Sequence, residues 1–142
     1  MPDRQTVDAR RILWAGPLTV VTAVVAVVAI RLAAVAVLEL PEEGFQPLGW
    51  FFPIFDTVVL VTAAVIVFTI VARLTQTPAR TYWWIALVAL GLSMIPDLQM
   101  HNRRPNLFTW PRTSVLMSMH VVAWWITVTM LTKLTSCSKR AD

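Results

Sequence analysis

The sequence has few charged residues, a single cysteine and four glycines, and each shortage excludes a class of protein. Charged residues make up only 14% and apolar residues 57% of the chain, with a mean hydropathy of +0.66, which excludes an ordinary soluble domain and a disordered segment. The lone Cys137 excludes an intrachain disulfide and a dithiol redox relay. The chain also lacks a glycine-rich phosphate loop and the motifs HExxH and GxSxG, so nucleotide hydrolysis, zinc-peptidase and serine-hydrolase chemistry have no support.

What the sequence has instead is four long apolar runs, at about 12–38, 51–72, 81–98 and 113–132. A helix needs about 20 apolar residues to cross the ~30 Å hydrocarbon layer of a bilayer. The period-2 alternation of barrel strands is absent. We therefore predict an all-α fold, in which residues 1–142 form one membrane domain, a four-transmembrane-helix bundle.

The basic residues predict how this bundle is oriented. Eight of them lie in the two tails and the second connection, whereas the opposite side has only Arg103, Arg104 and Arg112. Because positive residues are retained in the cytoplasm, both termini are expected there, and the protein is expected in the plasma (cell inner) membrane of a bacterium. The net charge of +4 is thus a topology signal, and no nucleic-acid partner is expected. A cleaved signal sequence is the alternative for the first run, but its first nineteen residues carry no charge, and this length exceeds the usual core of 7–15.

Each predicted span carries one ionisable residue, namely Arg31, Asp56, Asp97 and His120. An ionisable group inside a bilayer costs about 2.5–3.5 kcal/mol on insertion scales, so its presence needs a reason. With the orientation above, all four lie in the outer half of the membrane, where we expect them to meet in one outward-facing polar pocket. The alternative is that Arg31 extends outward to the headgroups while Asp56 caps the second helix.

The fourth span adds an aromatic residue to this predicted pocket. Met117, His120, Trp124 and Thr127 recur every three or four residues and share one helix face. A ring N–H finds no partner in lipid, so this face is expected to point toward the other helices. It forms either part of a ligand site or a polar contact that holds the helices together.

The third span contains Pro96, which removes one backbone hydrogen bond and frees the carbonyl of Leu92. If the helix continues past the proline, Ser93, Asp97 and His101 share a face. Asp97, His101 and His120 then form a conceivable site for zinc or iron, but one Asp-x-x-x-His pair is unspecific, and we assign no metal and no cofactor.

The segments Pro78-Ala79-Arg80, Leu90-Gly91-Leu92-Ser93-Met94-Ile95-Pro96-Asp97 and Met119-His120-Val121-Val122-Ala123 resemble those of a family of small actinobacterial four-helix membrane proteins of unknown function. This resemblance covers most of the chain. It implies four spans and says nothing about a substrate.

The sequence is compatible with three functions. The first is a non-enzymatic membrane protein that binds a small apolar ligand, a membrane lipid or a partner membrane protein through Arg31, Asp56, Asp97, His120 and Trp124. The second is a membrane enzyme of isomerase or cyclase type, in which His120 and Asp97 or Asp56 act as acid and base while Trp124 and Trp125 shield a cationic intermediate. The third is a channel or transporter subunit that works as a homo-oligomer.

Overall fold

The structure is a computed structural model and describes residues 9–38 and 46–135. It contains four long helices, α1 (Ala9–Leu38), α2 (Phe51–Leu74), α3 (Pro78–Arg103) and α4 (Trp110–Thr135), with a short 3₁₀ helix at Gln46–Leu48. All four are long and apolar enough to cross a membrane, and the described part of the chain contains no strand. The predicted all-α architecture, with four helices that are able to span a membrane, is confirmed.

The helices alternate in direction and pack as a bundle. Helix α1 packs on α4 and α2, and α3 packs on the same two helices, so α1 and α3 occupy opposite corners. The α1–α4 interface is the most extensive, whereas α2 and α3 touch sparsely. This sparse contact leaves a seam between α2 and α3 on the surface of the bundle.

Two apolar clusters form the core, one at each end of the bundle. The end that carries Ala9 and Thr135, which we call the termini end, holds Ile12, Phe68, Val71, Tyr82, Ala86, Val128 and Leu131. The opposite end, which we call the connection end, holds Val27, Ala34, Leu48, Phe108, Val115 and Met119. Elsewhere the apolar side chains mostly face outward: only 22% of the most apolar window of α2 is buried. Such a surface is suited to lipid rather than water.

Helix α3 differs most from its predicted bounds, since it begins three residues before the predicted start at 81 and ends five residues after the predicted end at 98. Pro78 occupies its first turn, where a missing N–H costs nothing. The helix also continues through Pro96 to Arg103, because a bundle can tolerate one freed carbonyl. Because α3 continues past the proline, Ser93, Asp97 and His101 lie on one face of the helix, as the sequence predicted for this case.

Candidate ligand-binding site

Asp97 and His120 lie next to each other at the centre of the candidate site. His120 Nε2 of α4 is 3.3 Å from Asp97 Oδ2 of α3, and their side chains are 27% and 16% exposed. The contact lacks the geometry of a hydrogen bond. Within residues 9–38 and 46–135, Asp97 Oδ2 is buried and has no hydrogen-bond donor. A buried carboxylate oxygen in this state favours any group that donates a hydrogen bond to it.

These two residues line a cavity of about 350 Å³ toward the connection end, which we call the polar cavity. Its walls are mostly apolar and come from all four helices and the connections, with Val27, Leu60, Met100 and Leu116 among them. Among the described lining residues three are ionisable, Asp56, Asp97 and His120. A mostly apolar cavity with a few convergent polar groups is the usual form of a small-molecule site.

Asp56 marks the open side of the polar cavity. It lies in the second turn of α2 and is exposed, as is its neighbour Phe52. Asp56 does not cap α2, because the cap position is Trp50 and no side chain bonds the first backbone N–H groups there. The Thr57 hydroxyl donates to the Pro53 carbonyl at 2.6 Å, so it is already used within α2.

A second cavity of about 260 Å³, which we call the apolar cavity, adjoins the first between α2, α3 and α4. It extends from Ser93 and His120 to Tyr82 and Val128 at the termini end. His120 lines both cavities, as do Leu60, Val61 and Ala123. Small side chains make the room for it: Ala63, Ala64, Ala86 and Ala89 line it.

Trp124, the aromatic residue predicted for the site, lines the apolar cavity rather than the polar one. Its indole Nε1 is buried with no hydrogen-bond partner in the part of the chain that the structure describes. Thr127 lines the same cavity, and its hydroxyl donates to the Ala123 carbonyl. Met117 lines neither cavity, and Met119 lines the polar one instead. Trp125 is 62% exposed on the outside of α4, so it does not join Trp124 as a second shield.

Arg31 does not reach the polar cavity, and here the predicted four-residue cluster is wrong. It is 1% exposed, so it does not extend outward to the headgroups either. Its Nε donates a hydrogen bond to the Leu48 carbonyl at 2.7 Å, and its guanidinium carbon lies 3.9 Å from the centre of the Trp50 ring. Arg31 thereby fixes the connection between α1 and α2, whose Pro47 lines the polar cavity.

Tyr82 is a residue of the site that the sequence did not single out. It is 1% exposed, packs edge-on against Phe68 with ring centres 4.9 Å apart, and lines the far end of the apolar cavity. Its hydroxyl has no hydrogen-bond partner among the described residues. The available signal was the spacing of one α3 face, on which the small or polar residues Tyr82, Ala86, Ala89, Ser93 and Asp97 recur every three or four positions.

His101, the third member of the conceivable metal set, is used elsewhere. Its Nδ1–H donates to the Phe108 carbonyl at 2.5 Å, and the centre of its ring lies 4.2 Å from the centre of the Trp110 ring. It therefore helps to hold the connection between α3 and α4. No group of three His, Cys, Asp or Glu side chains within the described ranges is placed to hold a metal ion.

The threonines in the half of the bundle near the termini end bear on the channel hypothesis. The hydroxyls of Thr19, Thr22, Thr69 and Thr129 each donate to a carbonyl of their own helix, four residues earlier. Hydroxyls that are bonded in this way leave no free donor to direct into a pore. They therefore give no support to a polar pathway through that half.

Four apolar spans around a mostly apolar cavity define the class of this molecule: a multi-pass helical membrane protein with a candidate small-molecule site. Residues 3–136 match the model of the family of unknown function DUF6069, so the chain belongs to that family. The resemblance to an uncharacterised family is thereby confirmed. No curated protein and no solved structure matches the chain.

Proposed function

We propose that this protein is a non-enzymatic membrane protein that binds a small, largely apolar ligand in the polar cavity. The observation that carries the proposal is the buried Asp97 Oδ2 at the cavity wall, which lacks a hydrogen-bond donor in the described part of the chain. Leaving such an atom unsatisfied costs about 1–3 kcal/mol, so a ligand that donates a hydrogen bond to it gains that amount on binding. The apolar walls favour the rest of the ligand through the burial of apolar surface.

The site belongs, on this proposal, to a protein of the bacterial plasma membrane with both termini in the cytoplasm. The excess of basic residues in the tails and the second connection supports this orientation. The polar cavity then lies in the outer half of the membrane. The excess of Arg over Lys favours a host with a GC-rich genome, as expected for actinobacteria.

Substitution of the two central residues tests the binding proposal. The protein is reconstituted in nanodiscs made with total bacterial lipid extract, and native mass spectrometry records the small molecules that it retains. We expect a retained adduct on the wild-type protein and a loss of at least tenfold in Asp97→Leu and His120→Leu, because both changes remove the polar groups at the cavity wall. Gln99→Leu is the matched control, since Gln99 is exposed on α3 and lines neither cavity.

Thermal unfolding of each variant shows whether the fold is intact. Asp97→Leu places an apolar side chain in an apolar wall, so we expect it to fold. Retention of the adduct by folded Asp97→Leu and His120→Leu would show that the polar cavity is not the binding site.

The contact between Asp97 and His120 favours one second candidate, a membrane isomerase or cyclase. A carboxylate 3.3 Å from an imidazole, beside an apolar cavity, is an arrangement that can move a proton to or from a bound hydrocarbon. Incubation of the reconstituted protein with lipid and terpenoid extracts, followed by mass spectrometry, tests this candidate. A new product that His120→Leu abolishes supports an enzyme, and unchanged extracts of every lipid class support binding alone.

A further inference from the structure

We infer that the polar and apolar cavities form one continuous site for a single-chain amphiphile, whose head group donates a hydrogen bond to Asp97 and whose hydrocarbon chain lies along the apolar cavity toward Tyr82. The inference rests on the proposed function and names the ligand class for it. The two cavities share four wall residues, Leu60, Val61, His120 and Ala123, so they meet directly. His120 stands at the junction of the polar and apolar parts.

The head group is identified by the charges that line the site. Asp56 and Asp97 are carboxylates, and no Lys or Arg among the described residues lines either cavity. A fatty-acid carboxylate or a phosphate would meet repulsion from both aspartates without a fixed cation to offset it. A primary alcohol or a primary amine, by contrast, supplies the donor that Asp97 Oδ2 lacks.

The shape and the opening of the apolar cavity indicate what kind of hydrocarbon chain the ligand has. At a rise of 1.5 Å per residue, the stretch of α3 from Ser93 to Tyr82 is about 16 Å long, which an extended alkyl chain of roughly twelve carbons covers. Ala63 and Ala89 line the cavity and are exposed at the sparse seam between α2 and α3. The cavity therefore opens sideways, where the hydrocarbon of a bilayer would lie, and a chain can enter from there.

Two photoactivatable dodecan-1-ol probes test the inference in nanodiscs. One carries a diazirine at the terminal carbon and the other a diazirine next to the head group. We expect the terminal probe to label residues near Tyr82 and Val128, and the head probe to label residues near Asp97 and Met100. Unlabelled dodecan-1-ol or dodecylamine should reduce both signals at least tenfold, whereas dodecanoic acid at the same concentration should leave them nearly unchanged.

Two substitutions on α3 test the position of the hydrocarbon chain separately from that of the head group. Ala89→Phe places a ring in the apolar cavity and should abolish labelling by the terminal probe. Val88→Phe is the matched control, because Val88 is 61% exposed and lines neither cavity. Equal labelling in both variants would contradict the position assigned to the chain.

The outcomes separate this inference from the proposed function. Labelling by the head probe alone, lost in Asp97→Leu, would leave the binding function standing and overturn the placement of the chain. Competition by dodecanoic acid as strong as that by the alcohol would overturn the assigned head group. If no free ligand reduced labelling by the terminal probe, bilayer lipid tails would fill the apolar cavity, and the inference would be wrong.

Discussion

Arg31 illustrates how a buried charge is accommodated in this bundle. Its Nε donates a hydrogen bond to the Leu48 carbonyl and its guanidinium lies over the Trp50 ring, both in the connection that follows α1. The ionisable character of Arg31 inside an apolar run was visible in the sequence, but the two roles considered for it, a wall of the pocket and an extension to the headgroups, differ from the contacts that it makes. Its partner was not visible, because Leu48 contributes a backbone carbonyl and the pattern of side chains carries no information about it.

Arg31→Lys should lower the free energy of unfolding by about 1–3 kcal/mol, since lysine has no N–H at the position of Nε and no planar group to lie over Trp50. Reversible unfolding in mixed detergent micelles measures this loss. Arg73→Lys is the control, because Arg73 is exposed at the end of α2 and should change stability by less than about 0.5 kcal/mol. A loss of similar size in both variants would mean that the contacts of Arg31 contribute nothing specific.

The sequence predicted the positions of some residues of the site but not the division of the site into two cavities. Asp56, Asp97 and His120 were predicted to share a pocket, and all three line the polar cavity. Their depth in the membrane was estimated from the lengths of the helices. Because polar groups in a helix bundle avoid lipid, their side chains were expected to face one another. The division of the site into a polar and an apolar cavity was not predicted, because it depends on which alanines face the seam between α2 and α3.

At the scale of the helices, length and hydropathy were enough to find the four spans, and the ends were the weak point. The prediction ended α3 at 98 because polar residues begin there, whereas the helix continues to Arg103 through His101. Polar residues at a membrane surface can remain helical because their side chains reach water while the backbone stays hydrogen-bonded. A change in polarity therefore does not mark the end of a helix.

Close packing between α1 and α2 depends on a glycine. A Cβ atom at Gly16 would lie 3.0 Å from Cγ1 of Val65, whereas a Cβ at Gly91 would meet nothing within 4 Å. Since helix α1 also makes the most extensive interface of the bundle, with α4, it has little freedom to move away. A larger side chain at position 16 must therefore displace Val65 or separate the two helices.

Gly16→Leu should lower the free energy of unfolding by about 1–3 kcal/mol through overpacking against Val65. Gly91→Leu is the matched control and should raise it by up to about 1 kcal/mol, because leucine favours a helix more than glycine does. The denaturation midpoints of the two variants in the same micelles make the comparison. Equal shifts in both would contradict close contact at Gly16.

At the scale of the whole molecule, the charge distribution predicts an orientation in the bilayer, and one native residue can be used to measure it. Cys137 is the sole cysteine of the chain and lies in the C-terminal tail. A membrane-impermeant maleimide applied to intact cells should leave Cys137 unlabelled if that tail is cytoplasmic. Permeabilisation should then expose it to the reagent.

The variant Cys137→Ser with Asn106→Cys provides the complementary measurement. Asn106 is exposed in the connection between α3 and α4, on the side opposite the termini, so its substitute should be labelled in intact cells. Labelling of Cys137 in intact cells, together with protection at position 106, would show that the topology is the reverse of the predicted one. The polar cavity would then lie in the cytoplasmic half of the membrane.

If the proposed ligand enters through the sparse seam between α2 and α3, the seam also determines how its affinity must be expressed. A ligand that enters through the seam dissolves first in the surrounding bilayer and only then meets the protein. Its occupancy follows its mole fraction among the lipids and not its aqueous concentration. Dilution of the ligand with extra vesicles at constant total concentration would therefore empty the cavity, although nothing about the protein had changed.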